Sequence, residues 1–186
     1  MFGNAAPETK GPAIPIIVPY DPRWQDRFSA AADELRAALG SNLTAVEHIG
    51  STAVPAVCAK PIIDLLAIVA SLTALDDSNT DLTALGYEAL GENGIEGRRY
   101  FRRTDALGTR CHHLHIFAVG APEIGRHLAF RDYLRAHPRI AARYSELKNS
   151  LADRSDYQEA KSPFIVTMTE AALAWCRTLA DRQPGR

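Results

Sequence analysis

The chain has 186 residues, 46% of them hydrophobic, and a formal net charge of −1. That length suits one domain with one core, and the balanced charge excludes a general electrostatic pull toward nucleic acid or an anionic membrane. Cys58, Cys111 and Cys176 are far apart and odd in number, which argues against a disulfide framework and fits a reducing cytoplasm.

Residues 1–13 carry Gly and Pro, lack an apolar signal core, and are expected as a flexible tail. No stretch approaches the length that spans a membrane. Ile14 to Val18 reads as an edge strand, because Pro15 cannot donate to a ladder on both sides. Asp21-Pro22 starts a helix, with Asp as N-cap and Pro at the first helical position. Trp24, Phe28, Ala31, Leu35 and Leu39 share one face of it, which reads as core packing, and Gly40 ends it.

Thr44 to Ile49 is the next strand, with Glu47 and a structural His48 on opposite faces. Gly50-Ser51 closes it; glycine lets backbone approach a ligand, and its amides with a serine hydroxyl suit phosphate oxygens. A small-residue, proline-bearing loop leads to Lys60-Pro61 and then to Ile62–Val69, an eight-residue, almost wholly apolar run that reads as a buried central strand. Asp64 is the anomaly there. A carboxylate at the mouth of a buried strand costs free energy unless a charge meets it. Lys60, a metal ion or a bound phosphate group each suits that role.

Ser71 to Leu85 reads as a helix with Leu72, Leu75, Leu82 and Leu85 inward and a weak middle at residues 76–79. Gly86 closes it, Tyr87 to Leu90 is a short strand, and Gly91, Gly94 and Gly97 mark a turn region. Arg98 to Arg103 is a strand joined by a turn at residues 105–108 to a hairpin partner, Cys111 to Val119. Alternation divides the arginines, Arg99 and Arg103 with Phe101, Arg98 and Arg102 with Tyr100. Two readings stand: a solvated edge guarded by charge, or a phosphate clamp. On the partner strand His113 and His115 share one face and Leu114 and Ile116 the other, with His112 turned away from the first pair. If Asp64 faces the same way, one oxygen and two imidazoles suit Zn²⁺, Mn²⁺, Ni²⁺ or Fe²⁺ better than Mg²⁺. The alternative is a hydrogen-bonded polar cleft without metal.

The last third is helical. Glu123 to Ala136 forms one helix with Leu128, Arg131 and Leu134 on a face, and Pro138 opens the next, with a stripe of Ile140, Tyr144, Leu147 and Leu151. Ser162-Pro163 opens a final helix with Ile165, Met168, Ala172, Trp175 and Leu179 inward. Lys148 and Lys161 each follow a tyrosine by four residues and read as solvated. Residues 182–186 form a second tail, leaving 14–181 as a single domain.

Gly-Ser at the end of one strand, with Asp64 in the next, resembles the nucleotidyltransferase superfamily signature. There the Gly-Ser holds nucleotide phosphates, and an acidic pair one residue apart holds divalent metal. Here the second acidic position falls at Leu66, which cannot bind Mg²⁺. The whole string HIGSTAVPAVCAKPIIDLL, with HHLHIF further on, resembles more closely the GrpB family, a divergent branch of that fold, from Val18 to Trp175. The resemblance implies an α/β domain, a small mixed sheet packed by helices with a helical carboxyl-terminal part. It also gives Lys161 a role as a nucleotide phosphate contact. Three functions follow. The first is a nucleotidyltransferase-like enzyme using a nucleoside triphosphate, with Asp64 catalytic through a divalent ion. Gly50, Ser51, Lys60, Lys161 and the arginines 98, 99, 102 and 103 then hold phosphate. The second is a non-catalytic module for a nucleotide or CoA-like molecule, which Leu66 favours. The third is an accessory domain for a partner enzyme such as dephospho-CoA kinase, to which the family is fused in some bacteria.

Overall fold

Helix α1 (Arg23–Leu39) begins where the Asp21 carboxylate accepts the Arg23 backbone N–H at 2.9 Å. It buries Trp24, Ala31, Ala32, Leu35 and Leu39 and ends at Gly40. The protein is described by a computed structural model covering residues 16–77 and 79–182. The tail expected at 1–13, Ile14 and Pro15 of the expected edge strand, and residues 183–186 of the tail expected at 182–186 lie outside those residues, whereas Arg182 ends the last helix. Val18 makes a single antiparallel bridge to Ala59.

Five strands form one mixed sheet. They are β1 (Leu43–Ile49), β2 (Ile63–Val69), β3 (Tyr87–Ala89), β4 (Arg99–Thr104) and β5 (Arg110–Ala118), in the spatial order β1-β2-β5-β4-β3. Strand β2 runs antiparallel to β1 and parallel to β5, and the remaining pairs are antiparallel. The parallel pair needs a crossover, supplied by α2 (Leu72–Asp77), α3 (Asn79–Ala84) and strands β3 and β4. The expected weak middle is where α2 and α3 separate, and residue 78 itself is outside the described residues. Helices α4 (Pro122–Ala136), α5 (Pro138–Ser150) and α6 (Tyr157–Arg182) complete the chain.

The sheet is covered on both faces. Ile63, Leu65, Ala67, Val69, Leu114, Ile116 and Phe101 pack against α1, α2 and α3. On the other face Leu66, Ile49 and Phe117 pack under Ile124 and Leu128 of α4. Register is therefore pinned: a slip of one residue in β2 would drive Asp64 into the α1 side of the core. A third cluster of Val54, Val57, Leu134, Ala141 and Tyr144, with Phe164 and Ile165 beside it, ties the loop after β1 to the three carboxyl-terminal helices.

Two expectations for α6 are corrected. It starts at Tyr157, so Pro163 lies inside it and removes one backbone donor in its second turn. Packing of Phe164 and Ile165 into the third cluster holds the helix through that defect. Leu179, expected inward, is 42% exposed. No described helix is long and apolar enough to cross a membrane.

Candidate functional site

At the end of β1 the backbone turns sharply at Gly50, whose φ of +69° is open to glycine and strained for other residues. Ser51–Ala53 follow as a single 3₁₀ turn. Gly50 lies directly on the Asp64 side chain, since β1 and β2 pair Ile49 with Asp64. The parallel pairing of β2 with β5 then sets Asp64 beside His113 and Leu66 beside His115. The sequence expectation that Asp64, His113 and His115 share a face opposite Leu114 and Ile116 describes this sheet.

Asp64 Oδ1 and His113 Nδ1 are 3.0 Å apart, with the two side chains 26% and 22% exposed. Burial pushes the Asp64 carboxyl up. The hydrogen bond and charge of His113, with His115 and Lys161 beyond, outweigh it and hold the group below the ordinary carboxylate range. His113 Nε2 is buried and has no hydrogen-bond partner among the described residues. His115 Nδ1 accepts the Arg98 guanidinium at 3.3 Å, and Arg98 is anchored on the Glu92 and Asn93 carbonyls. Burial drives His115 down to about 3, so its ring is neutral at neutral pH. An Arg donor on Nδ1 leaves the neutral ring's proton on Nε2.

This donor set does not fit a divalent ion held by Asp64, His113 and His115. His113 already occupies Asp64 Oδ1, Arg98 occupies the free lone pair of His115, and Leu66, fully buried among Ile49 and Phe117, offers no second carboxylate. Among the described residues, no group of three or more His, Cys, Asp or Glu has the arrangement to hold a metal.

Two adjoining hollows open beside the Gly50–Ser51 turn. The larger, about 280 Å³, runs between that turn and α4 and α6, and its walls include Ile49, Phe130, Tyr144 and Ile165, with His115 and His127. The smaller, about 240 Å³, is lined by Ser51, Asp64, Lys60, Lys148, Tyr157 and Lys161 among others. Lys60 and Lys161 lie 4.9 and 5.0 Å from the Tyr157 ring centre. Burial lowers both ammonium groups; Arg110 adds to the effect at Lys60, whereas Asp64 opposes it at Lys161. Lys148, expected to be solvated, is instead 3% exposed. It follows Tyr144 by one helical turn, so the stripe that buries Tyr144 carries it inward.

The arginine run is divided as alternation requires. Arg99 and Arg103 lie on the face covered by α1 and α2, away from Asp64, where they pair with Asp76 and Glu34. Arg102 pairs with Glu88 on β3. Arg98 touches the cleft indirectly, through His115. The structure therefore brings together Gly50, Ser51, Lys60, Asp64, His113, His115 and Lys161, and leaves Arg99 and Arg103 elsewhere. His48 is structural, bonded to Thr52 and stacked on Phe28 at 4.7 Å. Sequence reasoning missed His127, Tyr144, Tyr157 and Lys148 as cleft residues. The repeated tyrosine–lysine spacing of four was the available signal.

The chain matches the family described as GrpB protein over residues 15–171. It is 42% identical to UPF0157 protein YqkA of Bacillus subtilis over 86% of this chain, which spans 47% of that relative. It is also 29% identical to part of a dephospho-CoA kinase of Mycobacterium tuberculosis, spanning 46% of it. Among solved structures, GrpB from Enterococcus faecalis superposes with a TM-score of 0.80 at 43% identity, covering 86% of this chain and 98% of that one. A complex of the Cid1 poly(U) polymerase with MgGTP superposes with a TM-score of 0.53 at 17% identity, covering 73% of this chain and 44% of that one, which is a likeness of fold.

Proposed function

This chain belongs to the GrpB family, and from that premise we propose that it is a phosphate-binding module for a nucleotide or CoA-like molecule. One observation carries the reading: the Gly50–Ser51 turn, Lys60 and Lys161 converge on one cleft, with Asp64 hydrogen-bonded to His113 at its floor. The turn offers backbone amides and a hydroxyl, and Lys60 and Lys161 offer charge that, among the described residues, is in no ion pair. The apolar walls of the larger hollow suit the organic part of such a ligand. The likeness to part of a dephospho-CoA kinase is the reason to include CoA.

Calorimetric titration with ATP, CoA and inorganic tripolyphosphate, first in EDTA and then with Mg²⁺, tests this. Binding in EDTA that weakens about tenfold or more in Lys161→Ala is expected. Failure of all three probes to bind under either condition overturns it.

A catalytic reading is favoured by Asp64 itself, placed under a Gly-Ser turn on a nucleotidyltransferase-like fold. In that reaction an acceptor hydroxyl or amine forms a bond to the α-phosphorus and gives up its proton to solvent, the bond from the α-phosphorus to the oxygen bridging the β-phosphate breaks, and pyrophosphate leaves. Binding that requires Mg²⁺, together with pyrophosphate release, selects this reading over the first.

A further inference from the structure

Lys148 differs from the other two lysines of the smaller hollow. Its Nζ donates to the Cys58 carbonyl and lies 4.9 Å from the centre of the Tyr144 ring. Among the described residues none of Lys60, Lys148 and Lys161 forms an ion pair. A buried ammonium with one carbonyl and one ring face for company is poorly stabilised. The groups that face it are Cys58 and Lys60 from the loop before β2, Asp64 from β2, and Tyr144 from its own helix. Tyr157 and Lys161 come from α6, and His113 and His115 from β5 line the same hollow. The anion of that set, Asp64, is already bonded to His113.

We propose that the smaller hollow is a polyphosphate subsite in which, at mildly alkaline pH, Lys148 is an uncharged amine when the subsite is empty and an ammonium when it is filled. The anion then enters together with one proton from solvent, and the only bond formed is N–H. The proposal rests on the phosphate-binding reading of the cleft and adds a third cation and a proton to it. The electrostatics agree with the geometry. Burial drives Lys148 down to about 7, Lys161 and Lys60 push the same way, and Cys58 and Asp64 oppose them. A phosphate oxygen in the hollow supplies the missing counter-charge and raises the group again.

Below about pH 7 Lys148 is already protonated in the free protein and adds no pH dependence to binding. Above it, filling requires proton uptake, so affinity falls by up to tenfold per pH unit until the pKa of the filled state is reached.

The test is calorimetry with ATP in EDTA at pH 8, where a phosphate whose second pKa is about 6 is already ionised. Titrations in Tris and in HEPES, which differ in ionisation enthalpy, give the protons taken up. Wild-type protein should take up between half a proton and one proton per ATP. Lys148→Met, of similar length, should take up almost none and bind several-fold more weakly. Lys161→Met should bind more weakly yet keep most of the uptake, because burial is the larger cause of the Lys148 shift. ATP bound without uptake by wild type, or undiminished uptake by Lys148→Met, overturns the proposal and leaves the phosphate-binding reading standing. Absence of ATP, CoA and tripolyphosphate binding overturns both. Should Lys148→Met fail to fold, the wild-type affinity between pH 7.5 and 8.5 decides: a several-fold fall supports the proposal and a flat profile overturns it.

Discussion

A β-carbon on residue 50 would lie 2.2 Å from Asp64 Oδ2 and 2.9 Å from its Cγ. Glycine at 50 and aspartate at 64 are therefore one steric unit, and the φ of +69° at Gly50 compounds the constraint. Gly50→Ala is expected to lower stability by about 1–3 kcal/mol through the clash and the backbone strain. Asp64→Ala in the same protein should return part of that loss, because it removes the atoms in collision. Urea denaturation of the two single variants and the double variant measures this coupling, and strictly additive losses would show that the contact does not hold in solution.

Leu66 stands where the signature that the sequence resembles has a second acidic residue, and its surroundings are Ile49 and Phe117 rather than water. Leu66→Asp is thus expected to cost about 3–5 kcal/mol, as an unpaired carboxylate placed in an apolar cluster does. It should not create a Mg²⁺ site. A stable Leu66→Asp protein that binds ATP more tightly with Mg²⁺ than in EDTA would reverse the conclusion drawn from the donor set.

Arg103 and Arg99 share a face yet differ in what they hold. Arg103 donates to Glu34 of α1, to His112 and to the Leu85 carbonyl from a mostly buried position. Arg103→Ala should destabilise the fold by about 1–3 kcal/mol, since it also leaves buried acceptors unpaired. Arg99 bonds Asp76, which is about half exposed, so Arg99→Ala should cost under about 1 kcal/mol. Neither substitution should change ATP affinity in the folded protein. A tenfold loss of affinity in either would restore the phosphate-clamp role.

Acid should unfold this protein in two stages. Burial holds His48, His112 and His115 at about 4, 3 and 3, against about 6.5 in an unfolded chain. Between those values the unfolded chain binds protons that the folded one refuses. The stability contributed by the neutral rings is full above about pH 6.5 and is lost as pH falls toward 4 and 3, at roughly 1.4 kcal/mol per pH unit for each ring. Asp64 acts at lower pH. Its folded pKa is depressed, so its contribution is present above about pH 4 and disappears as pH falls through the folded value. Denaturant melts from pH 7 to 4 should show the first slope, and His112→Gln should reduce it by about a third. A profile unchanged by that substitution would mean His112 is not held neutral.

Much of the cleft could be read without the fold because its geometry is local. Two-residue alternation sets His113 and His115 together against Leu114 and Ile116, and the apolar run of β2 makes Asp64 conspicuous and Leu66 a departure. The face of α1 follows from the 3.6-residue period, and the separation of α2 from α3 from poor helix formers at residues 76–79. What remained was decided by contacts between residues distant in the chain. Lys148 is buried because α5 lies over the loop that carries Cys58, 90 residues earlier. Arg103 is structural because Glu34, 69 residues before it, comes to meet it. Helix α6 passes through Pro163 because the third cluster holds Phe164 and Ile165, overriding a local preference to start there. The identity of Asp64's partner had the same origin. Lys60, a metal or a phosphate were all consistent with the strand alone, and the parallel pairing of β2 with β5 gave the place to His113. Local periodicity assigns a side chain to a face, whereas only the assembled sheet and helices assign it a neighbour, and charge, protonation and burial all depend on the neighbour.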